Sequence, residues 1–227
     1  MPEQPLRGAP ALRRLLLCAS GLLLCLAGAP GHAEGSRAPT ALAEALRDAR
    51  LSSWQQLLRQ SAGGDEQARL ESVNRFINRS IVYTEDQQLW GSADYWATPL
   101  ETLNQGRGDC EDIAIAKYFS LVRLGVPSAK LRLTFVKALR LNRAHMVLAY
   151  YPSPSAEPLL LDNLQQQIRP ASQRRDLLPV YAFNNHGIFL GSAPQRQSSQ
   201  SPQLLSRWQE VSARALVDGS TQPAPQG

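Results

Sequence analysis

The chain has 227 residues with 24 Lys+Arg against 19 Asp+Glu, a formal net charge of +5, and 43% hydrophobic and 19% charged residues. This composition suits one ordinary globular domain and excludes a disordered chain. Three cysteines and three histidines exclude a heavily disulfide-stapled fold and a Cys₄ zinc site, and any chemistry needing those side chains can be searched residue by residue.

Arg7, Arg13 and Arg14 precede an apolar run over 15–27, and small residues follow to Ala33. A basic start, a short apolar core and a small-x-Ala end predict a cleavable signal peptide over 1–33 and export to the periplasm. The run is shorter than the roughly 20 apolar residues of a membrane anchor, so an integral membrane protein is not expected. Cleavage leaves 194 residues. It removes three basic and one acidic residue, which brings the charge to +3, and takes away Cys18, Cys25 and His32. Cys110, His145 and His186 remain. A single exported cysteine makes no internal disulfide, so Cys110 is either buried and inert or reactive. The small, dispersed charge argues against nucleic-acid binding, and Arg174 and Arg175 read as part of a solvated loop.

After the leader, apolar spacing predicts a helix over 41–60, with a break near 51–53, and a second helix starting at 63–65 with Leu70, Val73, Phe76, Ile77 and Ile81 on one face. Residues 83–99, with Trp90, Tyr95 and Trp96, lack a period and read as an irregular loop whose aromatics either wall a groove or pack on the core. A helix over 109–124 starts on Asp109 as N-cap and stops at Gly125 and Pro127. Runs at 130–139, 145–151, 158–163 and 177–183 read as antiparallel strands. A helix over 202–217 and a polar tail over 218–227 follow, so one domain spans 34–217.

The chemistry centres on Gly106-Arg-Gly-Asp-Cys-Glu-Asp112. Cys110 falls at the first position of a helix, where the dipole and free N–H groups favour a thiolate and can hold an oxyanion. His145 opens one predicted strand and Asp162 closes the next. Antiparallel pairing brings them together, giving Cys110 a base and the base an orienting carboxylate. Asn163 is the alternative orienter, and His186 reads as a turn residue. Asn104, Gln105 and Trp96 are open as the oxyanion partner. The carboxylates of Asp109, Glu111 and Asp112 would raise the thiol pKa. They either cap the helix or form a hard-oxygen site suited to Ca²⁺.

Asp94-Tyr-Trp-Ala-Thr-Pro-Leu-Glu101, the Cys110 string, Ala116-Lys-Tyr118, Ala144-His-Met-Val-Leu-Ala149 and Leu161-Asp-Asn-Leu164 resemble the bacterial transglutaminase-like cysteine peptidases, and within them the LapG-type periplasmic proteases. The resemblance runs from about Glu71 to Phe189. It implies an α+β, papain/transglutaminase-like fold with helices packed on an antiparallel sheet and the nucleophile at a helix N-terminus. Cys110 would be nucleophile, His145 base and Asp162 orienter, with Ca²⁺ held by Asp109, Glu111 and Asp112. The resemblance also implies an RTX-type adhesin as substrate, cut near its N-terminus at a di-alanine-containing site to disperse a biofilm. A LapD-type inner-membrane cyclic di-GMP receptor would sequester the enzyme. The same triad would equally serve a transglutaminase or a cell-wall amidase, and a non-catalytic binding module is the reading without chemistry.

Overall fold

In the computed structural model, residues 37–191, 193–198 and 205–221 are described; the signal peptide expected over 1–33 lies outside them. From Ala38 onward the described residues belong to one compact unit. Helix α1 (Arg37–Ser61) runs without the expected break, and the Ser53 hydroxyl bonds back to the Ala49 carbonyl within it (2.7 Å) instead of capping a new start. Helix α2 (Glu66–Ser80) is capped by Asp65 and buries Leu70, Val73, Asn74 and Ile77. The aromatic segment is less irregular than its sequence suggests. It holds strand β1 (Val82–Tyr83) and the short helix α3 (Asp86–Leu89), and leads into α4 (Pro99–Gln105).

Helix α4 is short but doubly fixed. Thr98 and Glu101 form a reciprocal capping box, Pro99 starts the helix, and Gly106 ends it in the left-handed region at φ 64°. Strand β2 (Arg107–Gly108) then pairs in parallel with β1 and delivers the chain to helix α5 (Cys110–Arg123). Helix α5 is buried nearly all round, with Ile113, Ile115, Tyr118, Phe119 and Leu121 each at most 3% exposed. Each such side chain contributes about 1.5–3 kcal/mol by leaving water. Tertiary packing therefore holds this helix in place.

Seven strands form one antiparallel sheet: β3 (Leu131–Ala138), β4 (Arg143–Tyr150), β5 (Leu159–Leu161), β6 (Arg169–Pro170), β7 (Leu177–Asn184), β8 (Gly187–Leu190) and β9 (Ala193–Gln197), in the order β6-β5-β4-β3-β7-β8-β9. Strands β8 and β9 were not expected from the sequence. Period-two alternation sends Leu131, Leu133, Met146, Leu148 and Tyr150 into the main core with α5. It sends Val136, Ala138, Val147 and Ala149 into a smaller cluster. Helix α6 (Ser206–Val217) closes the fold with Trp208 stacked on Phe119 at 5.7 Å. Residues 218–221, read from sequence as the start of a polar tail, instead form a turn in which Asp218 accepts a hydrogen bond from Thr98 and Ser220 is buried. No described helix is long and apolar enough to cross a membrane.

Candidate active site

Asp109 terminates β2 and caps α5, its Oδ1 accepting from the backbone N–H groups of Glu111 (3.1 Å) and Asp112 (3.3 Å). This places Cys110 at the first helical position, 7% exposed. Its thiol donates to Glu111 Oε2 at 2.7 Å. The backbone N–H of Met146, the residue following His145, acts on the sulfur in the thiolate's favour. Burial first, then the charges of Glu111 and Asp109, push the thiol well above its usual range, while the Met146 bond opposes them. The helix start alone does not activate this cysteine.

His145 and Asp162 meet as the antiparallel pairing predicts. Strands β4 and β5 align Leu148 with Leu161, and His145 Nε2 lies 2.8 Å from Asp162 Oδ1 with both side chains buried. His145 Nδ1 is buried and has no hydrogen-bond partner among the described residues, so this nitrogen is available to a thiol proton. Asp162 also accepts from the Leu164 N–H (3.0 Å) and from Arg174 Nη2 (2.7 Å). Burial acts to raise its pKa, but His145, Leu164 and Arg174 outweigh that and hold it at about 2. Arg174 corrects the reading of a solvated loop. It is 3% exposed and bridges Asp162 to Asp176.

Lys117 lies seven residues after Cys110 on α5. It is fully buried, its Nζ has no hydrogen-bond partner among the described residues, and Asp162 is the charge that reaches it. Burial pushes its amine down to about 7, against that attraction.

Asp109 and Asp112 come together as expected, but the third member of the cluster is Asp86 on α3, which the sequence reading missed inside the aromatic segment. One oxygen from each of Asp86, Asp109 and Asp112 lies within 4.8 Å of the others, and all three residues are buried. Glu111 instead directs its carboxylate to the thiol. Burial, followed by mutual repulsion, raises Asp109 to about 9. Burial is also the largest cause lifting Asp112 to about 7 and raising Asp86. Asp112 Oδ2 and Asp86 Oδ1 are buried without hydrogen-bond partners among the described residues. Clustered hard oxygens with unused lone pairs are what a divalent cation of the calcium class satisfies. A cation there would also reverse the field that burdens the thiol.

A cleft of about 330 Å³ opens over Cys110 between Tyr83, Glu85, Ala93, Asp94, Arg143 and Ala144. Of the three residues considered for an oxyanion, Asn104 and Gln105 are exposed, whereas the Trp96 indole N–H is buried and unpartnered, in the same core cluster as Cys110. His186 lies in the exposed β7–β8 turn beside Ser128, away from the cysteine.

A thiol at a buried helix start, packed on an antiparallel sheet whose neighbouring strands supply a histidine–carboxylate pair, defines a papain/transglutaminase-like cysteine proteinase. Residues 50–176 match the family described as bacterial transglutaminase-like cysteine proteinase, BTLCP, and the chain belongs to that family. It is similar to calcium-bound LapG of Legionella pneumophila, with 42% identity over 77% of this chain and 96% of that one, at a TM-score of 0.67. It is also similar to EGTA-treated LapG of the same organism, with 39% identity over 76% and 96% and a TM-score of 0.65. The comparison with curated proteins gave no match.

Proposed function

We propose that the chain is a periplasmic, calcium-dependent cysteine endopeptidase, with 34–217 as its catalytic domain once 1–33 are removed. Its substrate on this reading is the N-terminal region of a large RTX-type surface adhesin, cut at a di-alanine-containing site to release the cell from a biofilm. A LapD-type inner-membrane receptor sequesters it when cyclic di-GMP is high. The observation that carries the catalytic reading is the buried His145–Asp162 pair, with His145 on the strand packed against the Cys110 helix and its Nδ1 without a partner among the described residues. Similarity to calcium-bound LapG and the buried Asp86, Asp109 and Asp112 cluster support the cation. Ala93 and Ala144 in the cleft favour small substrate side chains.

Cys110 gives its proton to His145 Nδ1, and the thiolate attacks the scissile carbonyl. The Cys110 backbone N–H and the Trp96 indole N–H hold the developing oxyanion. His145, oriented by Asp162 and Arg174, returns the proton to the leaving amine, leaving a thioester. Water adds with His145 as base, and collapse of that adduct frees the carboxylate and the thiol. The bound cation supplies electrostatic neutralisation of the carboxylates beside the nucleophile. Asp86, Asp109 and Asp112 are the residues proposed to hold it.

The decisive experiment incubates the leaderless protein with a purified adhesin N-terminal fragment containing an Ala-Ala site. Cleavage by wild type, its loss in Cys110→Ala, and its loss after chelation with recovery on adding calcium are the expected results. Cleavage by Cys110→Ala would overturn the mechanism, and undiminished cleavage after chelation would overturn the metal claim. Incorporation of a labelled amine into a glutamine peptide in place of adhesin cleavage would instead establish acyl transfer.

A further inference from the structure

Residues 95–98 lie between the carboxylate cluster and the C-terminal helix, bonded to both. On one side, the Tyr95 N–H donates to Asp86 Oδ2 (2.5 Å) and the Ala97 N–H to Asp112 Oδ1 (2.7 Å). On the other, the Trp96 carbonyl accepts from Arg214 Nη2 (2.5 Å), and the Thr98 hydroxyl donates to Asp218 Oδ2 (2.5 Å). Arg214 also donates to the Tyr95 hydroxyl (2.7 Å) and to Glu101 (2.5 Å). Two alternate backbone N–H groups thus position two carboxylates of the cluster, and the residues between and after them are held by α6.

Helix α6 is itself fixed independently of this segment. Trp208 is fully buried, stacks on Phe119 of α5 and donates its indole N–H to Asn185. A short extended segment tied on both sides cannot shift at one without loading the other. The family match ends at residue 176, so nothing in that match assigns α6 a role.

We propose that Arg214 of α6 is a positioning residue for the cation site, holding residues 95–98 so that Asp86 and Asp112 stay aimed at a common point. Arg214 does not reach those carboxylates; it acts through the segment that does. Partners behind metal ligands typically set affinity by 10- to 100-fold. Coupling between two sites is reciprocal, so a cation bound at Asp86, Asp109 and Asp112 steadies α6 in return. The inference rests on the calcium reading above.

The test measures Ca²⁺ binding by titration calorimetry, and amide exchange across α6 with and without Ca²⁺, in the leaderless protein carrying Cys110→Ala. The expected result is a Kd raised about 10- to 100-fold in Arg214→Ala and partly restored in Arg214→Lys. Leu216→Ala, on the exposed side of the same helix at 66% exposure, should bind as wild type does. Calcium should slow exchange in α6 of the wild type but not of Arg214→Ala. Should Arg214→Ala fail to fold, Asp218→Asn loosens the second tether and should raise Kd by a smaller factor. A Kd within twofold of wild type in a folded Arg214→Ala or Asp218→Asn protein would overturn the inference while leaving the calcium reading intact. A wild type that binds no calcium would remove both.

Discussion

Lys117 is a costly side chain by electrostatic reasoning. Its amine is fully buried, makes no hydrogen bond among the described residues and is pushed from 10.5 down to about 7 by burial, with Asp162 opposing. At about 1.4 kcal/mol per pH unit, that displacement corresponds to roughly 5 kcal/mol of disfavoured protonation. The sign follows from proton counting. Between pH 7 and 10.5 the unfolded chain holds a proton that the folded chain lacks, so wild-type stability rises with pH across that window. Below about 7 both states are protonated and the full cost applies. Lys117→Met, of similar volume, removes the group. Allowing about 1–2 kcal/mol for imperfect repacking, a gain of about 2–4 kcal/mol is expected at pH 7. By pH 10 the two proteins should differ by no more than about 1 kcal/mol in the amine's contribution. Urea unfolding of both proteins at pH 7, 8.5 and 10, in a Cys110→Ala background, measures this. Taking the difference between them cancels the carboxylates, which titrate in both. A variant less stable than wild type at every pH would refute the reasoning and show that the amine holds a bonded partner worth more than its desolvation.

Arg174→Met removes the guanidinium from a carboxylate that is 1% exposed. Asp162 keeps its Leu164 and His145 bonds but loses its bonded cation, which costs up to about 3–5 kcal/mol, so thermal melting should fall, with peptidase activity falling as His145 loses part of its orienter. A variant with wild-type melting and turnover would return Arg174 to the role of a loop residue. Gly108→Ala tests the packing behind the cation cluster. A Cβ there would stand 2.8 Å from both Asp112 Cβ and Oδ2, and the Gly108 carbonyl is pinned by the Thr84 N–H. Asp112 must yield, so calorimetric Ca²⁺ affinity should drop at least about tenfold, with about 1–3 kcal/mol lost to overpacking. Unchanged affinity would show that Asp112 is not a ligand.

Much of the site is legible in the sequence because its parts sit where local rules act. A cysteine after a glycine-rich approach and an Asp N-cap names the start of α5. Two strands joined by a short connection bring His145 to Asp162 through pairing geometry alone. The missed residues lack such local signals. Asp86 belongs to an aperiodic aromatic segment, and only the tertiary placement of α3 carries it to Asp109 and Asp112. Arg174 follows a polar stretch and resembles any surface arginine until the chain folds it under Asp162. Lys117 interrupts an apolar helix, which reads as an exposed position on an amphipathic face, but α5 has no exposed face because the sheet, α2 and α4 surround it. Strands β8 and β9 follow the Asn184–Gly187 turn, and their short runs give little periodicity to read.

The acidic residues around the nucleophile look self-defeating while they are considered only as neighbours of a thiol. Burial and the charges of Glu111 and Asp109 hold the proton on Cys110. Asp109, however, is also the group that starts α5 where it does: its Oδ1 is committed to the N–H groups of Glu111 and Asp112. The carboxylate that places the sulfur at the helix start is therefore the one that opposes its ionisation. On the calcium reading the conflict becomes a device. The same carboxylate fixes the nucleophile geometrically in all conditions, and a cation shared with Asp86 and Asp112 changes the sign of the local field only when it is present. On that reading the cap and the core set the position of Cys110, and cation occupancy of the three buried carboxylates would set its activation.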